Sequence, residues 1–181
     1  MRLSLRQTKR QTTFAILAAL ILVSQIALAG IPGLQFVGTF IATLTVTYRK
    51  SALIPIYVFV LLFLLYYGFF AWNLPYLYVW LPLWGLFMFA EWFANKVQLS
   101  VGTRMYFYAV LCGLHGLSFG ILYSPFQALI MGWDFEQTLI WIRAGFLLPP
   151  YVDFIHATSN FTIGFLIIPL SKLLKKLESS Y

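Results

Sequence analysis

Residues 12–30 read "TTFAILAALILVSQIALAG". Arg2, Arg6, Lys9 and Arg10 precede them, and Ala27-Leu28-Ala29 ahead of Gly30 has the small-x-small spacing that signal peptidase favours. Alone, the stretch reads as a secretory signal peptide; within the whole chain it reads as the first of several permanent membrane helices. Thr12 to Ala29 is a run of 18 residues, whereas the apolar core of a signal peptide spans roughly 7–15. Its length favours retention, and the rest of the sequence decides what it belongs to.

The chain of 181 residues is 61% hydrophobic and 9% charged. Soluble domains carry about 25% charged residues, and a globule of this size cannot hide so much apolar surface from water. The composition is that of an integral membrane protein. The net charge of +7 does not point to nucleic acid, because the basic residues sit in small clusters between apolar runs, not in a patch interleaved with aromatics. Cys112 is the single cysteine. It has no disulfide partner and no neighbours at metal-ligand spacing, so it reads as a small packing residue.

A bilayer core asks for about 20 apolar residues per helix. The candidate spans are residues 12–29, 34–48, 52–71, 76–93, 104–131 and 151–170. Breakers separate them: Gly30-Ile31-Pro32-Gly33, Arg49-Lys50, Trp72-Asn73-Leu74-Pro75, Ala94-Asn95-Lys96 and the polar stretch from Gly132 to Glu136. A short helix over 138–148, stopped by Pro149-Pro150, precedes the last span. With six spans, the basic amino end, Arg49-Lys50, Lys96 with Arg104, and Lys172, Lys175 and Lys176 all fall on one side. The opposite connections carry Asp134 and Glu136 against Arg143 alone. The positive-inside rule then places both termini in the cytoplasm. Removing residues 1–29 would leave five spans equally consistent with the remaining loops, so charge alone does not decide the fate of the first. The expected architecture is an all-α integral membrane protein, one bundle of six transmembrane helices over residues 1–181.

Ionisable groups inside a bilayer are costly and mark function by default. In "PPYVDFIHATSNFTIG", Asp153, His156, Asn160 and Gly164 fall in a helical stripe roughly 80° wide. One reading is a ligand cavity open to the outside, with Asp153 and His156 orienting a polar substrate. The plainer reading is interhelical hydrogen bonding, which membrane helices use as glue. His115 lies among Gly113, Gly116 and Gly120, a GxxxG context that allows close helix approach and favours a packed histidine. Glu91 and Arg104 flank one inner loop and are expected to pair.

The outer connections hold Gln35, Trp72, Asn73, Tyr76, Tyr123, Gln127 and Trp133. An interfacial aromatic belt accounts for most of the six Trp and eleven Tyr, but amides gain nothing from a belt. A flat, hydrogen-bonding organic solute held among rings and amides suits such a site. The expected substrate site therefore comprises Gln35, Trp72, Asn73, Tyr76, Tyr123 and Gln127 with Asp153, His156 and Asn160. No HxxxH, HExxH, Ser/His/Asp grouping or phosphate-binding Gly-rich loop is present, so neither a metal site nor hydrolytic or ATPase chemistry is expected of this chain.

With these features the chain resembles the S components of energy-coupling factor (ECF) transporters, the substrate-binding membrane subunits of prokaryotic vitamin importers. The likeness rests on the six-span architecture and on two motifs. Ala15 and Ala19 match the family's AxxxA in the first span. In "AGFLLPPYVDFIHATSNFTIGFLIIPL", the family's Gly, Asp, His and Asn ahead of an aliphatic stretch ending in Pro-Leu fall on Gly145, Asp153, His156, Asn160 and Pro169-Leu170. The insert "FLLPP" after Gly145 is longer and more proline-rich than that pattern.

The resemblance implies capture of a vitamin or related cofactor precursor from outside a prokaryotic plasma membrane. It implies docking through Ala15 and Ala19 on a T component coupled to two cytoplasmic ATPases, which hydrolyse the ATP, and no cofactor in this chain. The final-span pattern most resembles members handling cobalamin; pyridoxine, folate, pantothenate and queuosine precursors also fall within the family's range. From other classes, the chain reads as an autonomous proton-coupled carrier relaying through Asp153 and His156, or as a structural protein whose stripe only glues helices. No inverted repeat between the halves favours the carrier.

Overall fold

A computed structural model describes residues 5–31, 33–148 and 151–179. Among these residues the regular elements are all helical: α1 (Leu5–Leu28), α2 (Val37–Tyr48), α3 (Leu53–Tyr67), α4 (Trp80–Lys96), α5 (Val101–Leu117), α6 (Phe119–Met131), α7 (Phe135–Leu147), α8 (Val152–Gly164) and α9 (Ile167–Ser179).

The 12–30 stretch forms most of α1. Phe14, Ala18, Ile21 and Gln25 recur at helical spacing and are buried, and α1 packs mainly on α3. The face carrying Ala15, Ile16, Ala19, Leu20 and Val23 is exposed. The helix is thus a wall of the bundle with one apolar face turned outward.

At the centre lies α2, with ten of its twelve residues buried, packed by α4 and α9 and touched by α1, α5 and α8. Its threonines tolerate this burial because their hydroxyls donate one turn back: Thr43 to Thr39 O (2.7 Å), Thr45 to Ile41 O (2.7 Å) and Thr47 to Thr43 O (2.8 Å). Thr47 also reaches Ser171 Oγ at 3.0 Å, tying α2 to α9.

Among the described residues, four helical runs are long and apolar enough to cross a membrane: Gln7–Leu28, Val37–Tyr67, Leu74–Lys96 and Val101–Met131. A fifth is counted if α7 and α8, bent by 53°, make one broken span. Together with exposed Leu61, Leu65, Phe69, Phe89 and Leu129, they are consistent with a multi-pass membrane protein. The 31-residue run Val37–Tyr67 would be about 46 Å long as a straight rod. Yet Leu34 and Gln35, just before its start, line the same cleft as Phe63 and Tyr67 at its end. The chain therefore doubles back, at Arg49 (φ 56°) and the 3-10 turn Arg49–Ala52. Trp84 Nε1 donates to Arg49 O (3.2 Å) and holds this reversal.

Two expected spans are not single helices. The 104–131 segment breaks at Ser118, where the Gly120 N–H leaves the helical ladder for Asp153 Oδ1 (3.2 Å). The 151–170 segment breaks after Gly164, because Pro169 has no N–H for the Phe165 carbonyl and its ring crowds that carbonyl. The short helix before it starts at Phe135, earlier than residue 138, because Asp134 and Gln137 form a reciprocal capping box. Pro149-Pro150 and Pro32, expected as breakers, lie outside the described residues.

α5 and α8 pack antiparallel and make the most extensive helix contact. Small residues on α5 line the seam: Ala109 meets Gly164, Gly113 meets Phe161, and Gly116 meets His156 and Asn160; just beyond, Gly120 of α6 meets Asp153.

The bundle has two chemically distinct ends. At the basic end, Val46, Glu91, Arg104, Ser171, Lys172 and Lys175 surround one cavity, and Phe14 contacts Tyr48 edge-on at 4.9 Å. At the amide end, Gln25, Gln35, Tyr67 and Asn73 come together.

Candidate solute site at the amide end

The cleft at the amide end has a volume of about 260 Å³ and is walled by the end of α1, the approach to α2, the end of α3 and Asn73. Its floor is aromatic. Phe63 stacks on Tyr76 with ring centroids 3.9 Å apart, and Tyr67 packs on Phe63 at 4.9 Å. Gln25 Nε2 donates to the Tyr76 hydroxyl oxygen at 2.6 Å. Asn73 Nδ2 donates to Tyr67 O (3.2 Å) and Gly68 O (2.9 Å), closing the end of α3 where the chain turns through Gly68 (φ 88°).

The nine residues expected to form one substrate site fall into three groups. Gln35 and Asn73 line the cleft, and Tyr76 lies beneath it, clamped by the glutamine. Trp72, Tyr123 and Gln127 instead join α6 to the 71–72 turn: the Tyr123 hydroxyl donates to Trp72 O, and Gln127 Nε2 to Ala71 O at 3.4 Å. Asp153, His156 and Asn160 form the third group, along the α5–α8 seam.

In that seam Asp153 lies in the first turn of α8 and accepts from the second residue of α6, so its carboxyl serves two helix N-termini. It is boxed by glycines. A Cβ at Gly120 or at Gly145 would stand 2.3 Å from Asp153 Oδ2. Asn160 is wedged between Gly38 of α2 and Gly116 of α5. His156 packs on Phe119 at 4.8 Å, and Phe119 lies 6.4 Å from His115, whose Nε2 faces Val79 O at 3.2 Å. His156 Nδ1 and Asn160 Oδ1 are buried without a hydrogen-bond partner. Rings connect seam to cleft: Tyr76 to Trp80 at 5.4 Å, and Trp80 to Phe119 at 5.8 Å.

Gln25 and the rings of Phe63 and Tyr67 are cleft residues that sequence reasoning missed. The signal for Gln25 was present. It is the one amide in the 12–30 run, and it lies at helical spacing from Ala18 and Ile21, on the face that turns out to be buried.

At the basic end the expected Glu91–Arg104 pair forms at 3.6 Å. Glu91 also accepts from the Tyr108 hydroxyl and from Asn95 Nδ2 (3.2 Å), while Arg104 donates to Asn95 Oδ1 (2.9 Å). Among the described residues no three His, Cys, Asp or Glu side chains gather as a metal site requires. Comparison with protein-family models, curated proteins and solved structures found no match to this chain.

Proposed function

We propose that this protein is a membrane-embedded solute-binding subunit of an ATP-driven importer, working as ECF S components do. Its chain would make six short passes with both termini in the cytoplasm, and the amide end would face outside. The observation that carries the reading is the amide-end cleft. It is half enclosed, has an aromatic floor, and contains buried Gln25 and Gln35 oxygens without partners. Such a cavity with a few convergent polar groups is what small-molecule recognition needs. At about 260 Å³ it is small beside ligand pockets of roughly 300–1,000 Å³, which favours a compact solute over one the size of cobalamin.

Two further features support the reading. Ala15 and Ala19 leave a shallow groove on the outward face of α1, where another helix can approach closely. Gly145 and Asp153, two members of the family-like terminal pattern, are in direct contact. The T component and two ATPases would dock at the α1 groove and supply the energy.

Affinity purification from native membranes tests the reading. The expected result is co-recovery of one multi-span scaffold and two ATPases carrying phosphate-binding loops, lost in Ala15→Trp with Ala19→Trp while the chain remains folded. Recovery of the chain alone, or ATPases that remain bound despite both tryptophans, would contradict it.

A further inference from the structure

The cleft's hydrogen-bonding character is one-sided. Three side-chain amides line it: Gln25, Gln35 and Asn73. The donor groups of Gln25 and Asn73 are engaged within the protein. Gln25 Nε2 holds the Tyr76 hydroxyl, and Asn73 Nδ2 bridges the Tyr67 and Gly68 carbonyls. What remains on offer is oxygen. Gln25 Oε1 and Gln35 Oε1 are buried with no partner, and Gln25 as a whole is 8% exposed. Asn73 has only its Oδ1 left to give.

Among the described residues, no Lys, Arg, His, Asp or Glu lines the cleft. Carbonyl dipoles facing an anion, with no cation to balance it, would be repulsive in a site removed from water. A cation would lack a counter-charge there. Buried acceptors without donors are costly to leave unmatched, so the fitting ligand brings N–H or O–H groups. The Phe63, Tyr67 and Tyr76 rings that form the floor favour a flat body.

We infer that the amide-end cleft selects an uncharged, planar solute bearing at least two N–H or O–H donors, and rejects carboxylates and phosphates. This inference rests on the binding reading above and specifies its substrate class.

The test is mass spectrometry of small molecules retained by the full chain purified from cells grown in rich medium and reconstituted in lipid nanodiscs. The expected retained molecule is uncharged at pH 7 and carries donors. Its occupancy falls at least tenfold in Gln25→Leu with Gln35→Leu. Should the double variant fail to fold, as judged by its thermal melt, Gln35→Leu alone, at the half-buried rim, is expected to lower occupancy at least threefold. A retained carboxylate or phosphate, or occupancy indifferent to the leucines, overturns the inference alone. A folded wild-type protein that retains nothing overturns the binding reading itself.

Discussion

Gln25 and Tyr76 lie 51 positions apart and meet through a 2.6 Å hydrogen bond from the amide nitrogen to the phenolic oxygen. This contact fixes the end of α1 against the turn that leads into α4, and it orients the one buried amide of the 12–30 run toward the cleft. Tyr76→Phe removes the acceptor while keeping the ring that stacks on Phe63. It is expected to destabilise the protein by about 1–3 kcal/mol, read by reversible unfolding in mixed micelles, and to lower ligand retention together with stability.

The α5–α8 seam leaves no room for side chains at its glycines. A Cβ at Gly116 would lie 2.7 Å from the His156 carbonyl oxygen, a backbone atom. Gly116→Val is therefore expected to cost at least 1–3 kcal/mol, the usual range for overpacking. Gly85, inside α4, meets nothing within 4 Å. Gly85→Ala should leave stability unchanged or raise it by about 0.5–1 kcal/mol. Equal loss in both variants would contradict the packing account.

Asp153 acts on helix ends through its oxygens. Asp153→Asn keeps an acceptor for the Gly120 N–H and is expected to cost less than about 1 kcal/mol. Asp153→Leu leaves that buried N–H unpaired, at a cost of about 1–3 kcal/mol. If Asn and Leu were equally damaging, the charge and not the hydrogen bond would be the operative feature. If a carrier relayed protons here, both variants would abolish transport with little change in stability.

Glu91, Arg104, Tyr108 and Asn95 form one network at the basic end. A double-mutant cycle with Glu91→Gln and Tyr108→Phe should show a coupling of about 1–3 kcal/mol, as contacting members of a network do. Additive effects would show that the pair contributes nothing jointly.

Much of the bundle was legible in the sequence because lipid solvation and charge impose simple patterns. Apolar runs marked the helices, and the basic clusters predicted which connections share an end; Arg104, Lys172 and Lys175 do meet there. The Glu91–Arg104 pair and the Asp153–His156–Asn160 stripe could be read from spacing alone. Helix breaks were harder. Pro169 acts at a distance, denying an N–H to the Phe165 carbonyl four residues earlier. Beside the break at Ser118, the Gly120 N–H is met by a carboxyl 33 positions away, a contact that no local pattern reveals. The site was legible only in part. Depth along a span suggested that nine residues share one pocket, but depth does not specify azimuth, so Tyr123 and Gln127 face the 71–72 turn and the stripe faces glycines. Gln25 lies in a run that also reads as a cleavable segment, where a lone amide has no meaning.

Whether the protein is, as proposed, a binding subunit energised by partners is decided by transport of the retained molecule in proteoliposomes. The protein reconstituted with a scaffold and ATPases recovered alongside it is expected to accumulate the solute only when ATP is supplied on the ATPase side, and the protein alone is expected to move none. Accumulation by the protein alone under an imposed proton gradient, abolished by a protonophore, would contradict the account and establish a carrier.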